Sequence, residues 1–237
     1  MQAYGKTDIG KVRRTNEDSY LISPGGNIFL VADGMGGHAA GEVASKLCVE
    51  TVFNYLKNCQ PNSNWQEMLR QAIESANSAI WQAARLKSEY AGMGTTLTAA
   101  YLEGERVYWG HVGDSRLYLI HNGEMRQLTE DHSLVYELVK KGSLTIAEAQ
   151  VHPNRNILTR AVGSNEEVQV DTGVAVLTGQ DKLLLCSDGL TNMVPDEELL
   201  NIISSLSIAS ALPELVKRAN DLGGDDNITA VLIGQES

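Results

Sequence analysis

Five aspartates stand at the edges of apolar segments of this sequence. Asp18 opens the first such segment, Asp33, Asp114 and Asp188 each follow one, and Asp226 comes just before the last. If these segments are strands of packed sheets, their ends bring residues that are distant in sequence together. Five carboxylates facing one another could not all stay ionised without cations. Ligation by oxygen alone selects Mg²⁺, Mn²⁺ or Ca²⁺ over zinc or copper.

A simpler interpretation is that these aspartates only form turns, because most of them lie beside glycine and Asp-Gly pairs are common in turns. For a single position this alternative stays open, but it explains the whole set less well than a metal site does. No calcium loop of the D-x-D-x-D-G type is present, which disfavours a structural calcium ion.

The glycine-rich segment 34–39 also matches the G-x-G-x-x-A pattern of dinucleotide-binding proteins. Asp33 argues against that function, because it would place a carboxylate where pyrophosphate approaches. The helix that follows leads to a second helix rather than to a strand. We expect instead that the glycines allow close backbone approach, so that a main-chain carbonyl can reach a metal ion.

The hydrophobic periodicity predicts an α+β fold. Apolar residues recur at helical spacing over 41–56 and 65–83, and further helices are predicted at 133–141, 197–206 and 209–222. Apolar runs bounded by turns predict strands at 19–22, 28–32, 95–102, 106–112, 117–121, 125–128, 168–176, 182–186 and 228–233. Strands on both sides of helix pairs indicate antiparallel sheets packed together, with helices outside.

Length and composition favour one globular domain spanning 1–237, because no linker, repeat or low-complexity segment divides the 237 residues. Residues 129–167 differ in character from the flanking strands. They contain a short helix, a capping box from Thr145 to Glu148, and a polar stretch at 152–156. We interpret 129–167 as an insertion and call it the flap.

The net charge of −11 is opposite in sign to the surface that binds nucleic acid or anionic lipid, so neither is an expected partner. The three cysteines form no zinc pattern and no even set, which favours a reducing, cytoplasmic location. The polar start of the chain indicates no signal peptide, and no apolar run is long enough for a membrane span.

Together these residues resemble the type 2C metal-dependent protein phosphatases, the PPM family, and in particular its compact bacterial members. The similarity runs along nearly the whole chain through six motifs in order. They are Val12-Arg13-x-x-Asn16-Glu17-Asp18, Val31-Ala32-Asp33-Gly34-Met35-Gly36-Gly37-His38, Met93-Gly94-Thr95-Thr96, His111-Val112-Gly113-Asp114-Ser115-Arg116, Ser187-Asp188-Gly189-Leu190-Thr191 and Gly223-Gly224-x-Asp226-Asn227.

The resemblance implies a central β-sandwich of two antiparallel sheets, flanked by helix pairs in α-β-β-α layers, with metal ions in a cleft at one end. It implies that Asp33 bridges two Mn²⁺ or Mg²⁺ ions and that the Gly34 carbonyl completes one site. Asp188 and Asp226 would complete the other site, and Asp18 would act through bound water.

The resemblance also assigns Asp114, with Asp188, to a third metal site and Arg13 to the substrate phosphate. His38 matches the family's general acid near the leaving oxygen, the alternative being an ordinary loop histidine. Asn192 departs from some eukaryotic members, which have an additional metal-binding aspartate there, so occupancy of a third site is left open.

Two further histidines have less defined expectations. His111 lies inside a predicted strand and is interpreted as a core residue or as support for the site. His132, in the sequence Asp131-His132-Ser133, is interpreted as support for the site from the base of the flap.

The expected activity is hydrolysis of phosphoserine and phosphothreonine in proteins by metal-activated water. A monomer that reverses a bacterial serine/threonine kinase is the expected context. Two alternatives remain at this point, a catalytically inactive member that acts as a binding module and a hydrolase for a small phosphorylated metabolite. The first would be expected to lack metal-binding aspartates, and none is missing.

Overall fold

A computed structural model describes residues 1–36, 40–60 and 63–235 and contains two antiparallel β-sheets. Strands are numbered along the chain. The first sheet has the spatial order β1 (Gln2–Asp8), β11 (Ile228–Gly234), β10 (Lys182–Cys186), β7 (Arg116–His121) and β8 (Glu124–Gln127). The second has the order β2 (Asp18–Ile22), β3 (Ile28–Met35), β5 (Leu97–Glu103), β6 (Arg106–Val112) and β9 (Asp171–Val176), with β4 (Gly94–Thr95) paired to β3.

Helices cover the outer faces of both sheets. The helices of the described ranges are α1 (Ala40–Leu56), α2 (Trp65–Leu86), α3 (Leu134–Lys140), α4 (Ile146–Gln150), α5 (Asp188–Thr191), α6 (Asp196–Ser205) and α7 (Ile208–Asp221). The pair α1 and α2 packs on the second sheet, and the pair α6 and α7 packs on the first. None of the helices in the described ranges is long and apolar enough to cross a membrane.

Side chains that alternate along the central strands build three hydrophobic layers. In β3, Phe29 and Val31 pack between the two sheets, whereas Leu30 and Ala32 pack against α1 and α2. The leucines of β10 divide in the same way between the intersheet core and the helices α6 and α7. Because each sheet is buried on both faces, its central strands are continuously apolar. The predicted α-β-β-α layering is confirmed.

The predicted elements are mostly confirmed, with a few differences, and the short helix α5 is one that no sequence pattern predicted. Strand β1 was not predicted, because its sequence is polar and it lies at the edge of its sheet, where pairing with β11 decides its conformation. The predicted strand 95–102 is two strands, interrupted at Thr96. The predicted strand 168–176 begins only at Asp171.

The flap contains α3 and α4 and is joined to the sandwich by specific contacts. The predicted capping box of Thr145 and Glu148 is present. At the C-terminal end of the flap, the buried side chain of Asn77 on α2 accepts a hydrogen bond from the Gly163 amide and donates to the Asn165 carbonyl. These contacts fasten one end of the flap to the helical layer.

Candidate metal and phosphate site

One end of the sandwich contains a polar cleft of about 200 Å³ between the two sheets. Four of the five predicted carboxylates line it, together with Arg13 and Gly34; they are Asp33, Asp114, Asp188 and Asp226. The flap contributes Asn156 and Leu158 to the wall. An apolar groove of about 370 Å³ between α1 and α2 is larger, but aliphatic side chains dominate its lining and the carboxylates lie elsewhere.

The fifth carboxylate, Asp18, is buried beside Asp33 because of strand register. Asp18 in β2 pairs directly with Asp33 in β3, and residues directly opposite each other in an antiparallel pair project to the same face. The hydroxyl of Ser187 donates to Asp18 Oδ2 over 2.7 Å. One carboxylate oxygen of Asp18 is therefore fixed by a residue of the other sheet.

Thr96, the residue between β4 and β5, holds the backbone of Asp33. Thr96 donates its amide to the Asp33 carbonyl over 2.8 Å, and its hydroxyl accepts the Asp33 amide over 2.9 Å. The same hydroxyl lies 2.7 Å from the Ser115 hydroxyl. The end of β3, where the central carboxylate stands, is thus fixed by side-chain contacts.

Asp188 and Asp226 meet because β10 and β11 are antiparallel neighbours, so the end of one lies beside the start of the other. A Cβ on Gly189 would lie 2.0 Å from the Asn227 carbonyl, and only glycine therefore permits this approach. Asn192 donates to Asp188 Oδ2 over 2.9 Å. Asn192, the position at which this chain differs from some eukaryotic family members, thus orients the Asp188 carboxylate.

Asp114 lies in the turn from β6 to β7, which crosses from one sheet to the other. Gly113, directly before it, has a φ of 112°, and a Cβ there would lie 2.6 Å from the Thr96 side chain. The turn is therefore tight and needs glycine. It places Asp114 in the lining of the cleft.

Burial and mutual repulsion make this carboxylate cluster unfavourable when ionised. Burial raises the pKa of Asp33 well above its usual range, and the carboxylates of Asp18 and Asp188 raise it further. The pKa of Asp114 is likewise raised well above its usual range, first by burial and then by Asp188. Burial raises the pKa of Asp18 to about 7. Bound cations would remove this penalty, because opposite charge favours the ionised form.

Two buried oxygens of the cluster have no hydrogen-bond partner within the described part of the chain, Asp18 Oδ1 and Asp188 Oδ1. Buried polar atoms are rarely left unpaired, so each needs an additional partner such as an ion or water. All the donors are oxygens, which suits Mg²⁺ or Mn²⁺. The residues present therefore fit divalent ions of this class.

Side chains alone do not, however, form a complete cation site in the described part of the chain. Among the described residues, no three His, Cys, Asp or Glu side chains are grouped so that they could hold an ion. A site that takes one ligand from the Gly34 carbonyl and others through water would not form such a group. A Cβ on Gly34 would lie 2.1 Å from the Gly41 carbonyl, so this position requires glycine for close backbone packing.

Arg13 lies at the rim of the cleft with about half of its side chain exposed. Its Nη2 donates to Asp226 Oδ2 over 2.6 Å. A guanidinium has five N–H donors, so others are left for a phosphate. His38, the predicted general acid, lies outside the described residues.

Several residues that position the carboxylates were not singled out from the sequence. Ser187 and Thr96 hold Asp18 and Asp33, and Asn227 accepts the Glu17 amide over 2.8 Å while donating to two carbonyls of the segment before it. All three belong to the quoted motifs. The motifs could have indicated a role for them, but only the tertiary contacts show which carboxylate each one supports.

Known proteins similar to this chain have the same overall fold and related sequences. The serine/threonine phosphatase stp of Listeria welshimeri is 43% identical over 240 residues, covering 98% of this chain and 95% of that protein. The crystal structure of the Mycobacterium tuberculosis serine/threonine phosphatase PstP/Ppp matches with a TM-score of 0.93 and 38% identity, covering 100% of this chain and 99% of that one.

A structure of the catalytic domain of the phosphatase PstP in complex with two manganese ions matches with a TM-score of 0.90 and 36% identity. The alignment covers 98% of this chain and 96% of that one. The family model for protein phosphatase 2C matches residues 11–232. The resemblance drawn from the motifs is confirmed, and this chain belongs to the protein phosphatase 2C family.

Proposed function

We propose that this chain hydrolyses phosphoserine and phosphothreonine in proteins at the carboxylate cleft, with Mn²⁺ or Mg²⁺ as the cofactor. The observation that carries the proposal is the convergence of four aspartates from both sheets in one cleft, with Arg13 at its rim. The family match and the manganese-containing relative support the same activity.

The residues proposed to hold the divalent ions are Asp33, whose carboxylate would serve both ions, Gly34 through its carbonyl, Asp188 and Asp226. Asp18, which lies behind Asp33, would act through water. Two close divalent ions supply a water that is nucleophilic at neutral pH and stabilise charge on the phosphoryl oxygens. Ser187, Thr96 and the neighbouring asparagines keep these carboxylates in place.

Arg13 is proposed to bind two oxygens of the substrate phosphate, because a planar guanidinium matches that geometry. In the reaction, the water oxygen forms a bond to phosphorus and the bond from phosphorus to the serine or threonine oxygen breaks. That leaving oxygen is strongly basic and needs a proton, which we propose comes from His38.

Further parts of the proposal follow from the family and the architecture. Asp114 would take part in a third ion site with Asp188. The chain would act as one domain over 1–237, with the flap at 129–167 contacting the substrate through the wall that includes Asn156. A monomer is proposed because both sheets are covered by the chain's own helices.

The cellular setting proposed is the cytoplasm, where a serine/threonine kinase would supply the phosphorylated proteins. Cys48 and Cys186 are free and buried, and burial raises the pKa of both thiols, which makes them poor nucleophiles. The chain therefore suits a reducing compartment.

The test is phosphate release from a phosphothreonine peptide and from a phosphorylated sugar, each with Mn²⁺ and with chelator. We expect Mn²⁺-dependent release, with the peptide preferred. Asp226→Asn should remove the activity, whereas Asp225→Asn, an exposed neighbour outside the cleft lining, should keep it. Full activity in chelator would overturn the metal assignment, preference for the sugar would overturn the substrate class, and no release from either would indicate an inactive binding module.

A further inference from the structure

His132, at the base of the flap, is hydrogen-bonded to both sides of Gly113. Its backbone amide donates to the Gly113 carbonyl over 2.7 Å. Its ring Nδ1 lies 3.1 Å from the Gly113 amide, which is the donor. An amide can donate only to an unprotonated ring nitrogen, so Nδ1 is the acceptor and the neutral ring carries its proton on Nε2.

Asp171, at the start of β9, fixes that tautomer. His132 Nε2 lies 3.1 Å from Asp171 Oδ2, and Arg160 of the flap donates to Asp171 Oδ1 over 2.8 Å. Arg160 Nη1 also lies 3.2 Å from His132 Nε2, but both of these nitrogens are donors, so the carboxylate of Asp171 accepts from each. The carboxylate therefore orients the ring.

His132 also links the flap to the turn that carries Asp114. The amide of Thr159, on the return of the flap, donates to the His132 carbonyl over 2.8 Å. On the other side, Gly113 lies between His132 and Thr96 and has the positive φ already described. The ring of this buried histidine thus fixes the peptide between Val112 and Gly113, and its backbone amide bonds the peptide directly before Asp114.

We propose that His132, oriented by Asp171, is a positioning residue that holds Asp114 in place for a divalent cation. The inference rests on the proposed assignment of Asp114 as a cation ligand. It parallels the general behaviour of metal sites, in which residues behind the ligands orient them. The bonds to Gly113 and Asp171 make the two ring nitrogens separately testable.

Two variants separate a positioning role from simple filling of space. His132→Asn places an amide oxygen near the position of Nδ1 and can still accept the Gly113 amide. His132→Gln places its amide near Nε2, keeping the contact to Asp171 but losing the acceptor for Gly113. A purely structural role, in which the ring fills the core, would make the shorter Asn side chain the more damaging replacement.

The measurement is a calorimetric titration of the metal-free protein with Mn²⁺, in which Asp114→Asn defines the binding that depends on Asp114. We expect His132→Gln to weaken that binding by roughly tenfold or more, since residues behind metal ligands typically contribute about 10 to 100-fold in affinity. His132→Asn should retain most of it. In the Asp114→Asn background, His132→Gln should have no further effect.

An NMR measurement on the metal-free protein tests the hydrogen bond from the Gly113 amide to His132 Nδ1 directly. The Gly113 amide should exchange with solvent faster in His132→Gln than in His132→Asn. If His132→Gln does not fold, Asp171→Ala tests the same orientation at a partly exposed position and should weaken the same Mn²⁺ binding.

Equal effects of Asn and Gln, an effect that persists without Asp114, or wild-type titration of Asp114→Asn would overturn the inference. Neither readout uses a phosphate ester. A protein without phosphatase activity would therefore contradict the proposed function while leaving the positioning role of His132 measurable.

Discussion

Arg13 and Asp226, which are 213 positions apart in the sequence, are joined by a hydrogen bond of 2.6 Å between Nη2 and Oδ2. The arginine proposed to bind phosphate therefore occupies an oxygen of a carboxylate proposed to bind metal. Their side chains are 49% and 30% exposed, and ion pairs exposed to this degree contribute little free energy. Binding of a metal ion to Asp226, or of phosphate to Arg13, therefore has to displace only the weak ion pair between these two residues.

Replacing Arg13 should weaken substrate binding. Arg13→Ala is expected to raise KM more than it lowers kcat if the guanidinium contacts phosphate equally in the ground and transition states. A hydrogen bond to a charged group contributes about 1.5 to 3 kcal/mol, on the order of tenfold to a hundredfold. Steady-state kinetics on a phosphothreonine peptide measure this, with the exposed neighbour Arg14→Ala as the control. An unchanged KM in Arg13→Ala would remove Arg13 from the phosphate site.

The same substitution should slightly favour metal binding. Without Arg13, Asp226 has no cationic partner to give up, so Arg13→Ala should lower the Mn²⁺ concentration for half-saturation. Exposed pairs contribute about 0 to 1 kcal/mol, which limits the gain to about fivefold. Calorimetry without substrate tests it, and weaker Mn²⁺ binding in this variant would contradict the competition.

Removing the central carboxylate should have opposite effects on activity and on metal-free stability. Asp33→Asn is expected to abolish turnover and to lower the number of Mn²⁺ ions bound, because the proposed bridge is lost. In chelator at pH 8 it should raise the unfolding temperature, since a buried carboxylate surrounded by others is destabilising when ionised. Asp221→Asn, exposed on α7, is the control and should change neither property. Unchanged metal stoichiometry in Asp33→Asn would refute the assignment.

The stability of the chelated protein should fall as pH rises from 6.5 to 8.5. Asp18, Asp33 and Asp114 have raised pKa values in the folded state, to about 7 for Asp18, so the folded protein binds more protons than the unfolded chain. Their stabilising contribution is complete below the unfolded pKa near 3.8 and is lost as pH rises through the folded values.

The range starts at pH 6.5 because burial lowers the pKa of His111 to about 4. That histidine makes stability rise with pH, but only below its unfolded value of about 6.5. Thermal unfolding in chelator should therefore show a decrease across the range, and saturating Mn²⁺ should largely remove it. A metal-free protein whose stability increased with pH here would contradict the carboxylate cluster.

The hydroxyl of Thr96 should matter more than its shape. Thr96→Val keeps the volume but leaves the amide of Asp33 and the hydroxyl of Ser115 without their partner, at a cost of about 1 to 3 kcal/mol for a buried unpaired group. Urea unfolding should show this loss together with reduced kcat. Thr96→Ser retains the hydroxyl and should stay much closer to the wild type. Equal losses in both variants would indicate that packing of the methyl group dominates.

His38 should act on the leaving group rather than on phosphate binding. His38→Ala is expected to lower kcat by about 10² to 10⁴ on a phosphothreonine peptide, because general acid catalysis typically contributes that much. On para-nitrophenyl phosphate the loss should be slight, since a phenolate leaves without a proton, and Mn²⁺ binding should be largely kept. His152→Ala in the flap is the control. The same loss on both substrates would instead indicate that His38 positions metal or water.

The local sequence by itself determined the longer helices, most strands and the α-β-β-α class, because hydrophobic periodicity follows directly from the faces that each element buries. It also identified the aspartates, since acids at the ends of apolar strands have few structural uses in such number. The sequence did not predict strand β1, because its β conformation comes from pairing with β11 and not from a hydrophobic pattern of its own.

Only the tertiary structure decided how the acids meet. Strand register places Asp18 opposite Asp33, the antiparallel neighbours β10 and β11 bring Asp188 beside Asp226, and these contacts span long sequence separations that no local pattern encodes. The same holds for the ion pair of Arg13 with Asp226 and for the two hydrogen bonds between His132 and Gly113. Hydrogen bonds between distant segments depend on how the layers pack, which is a property of the folded chain as a whole.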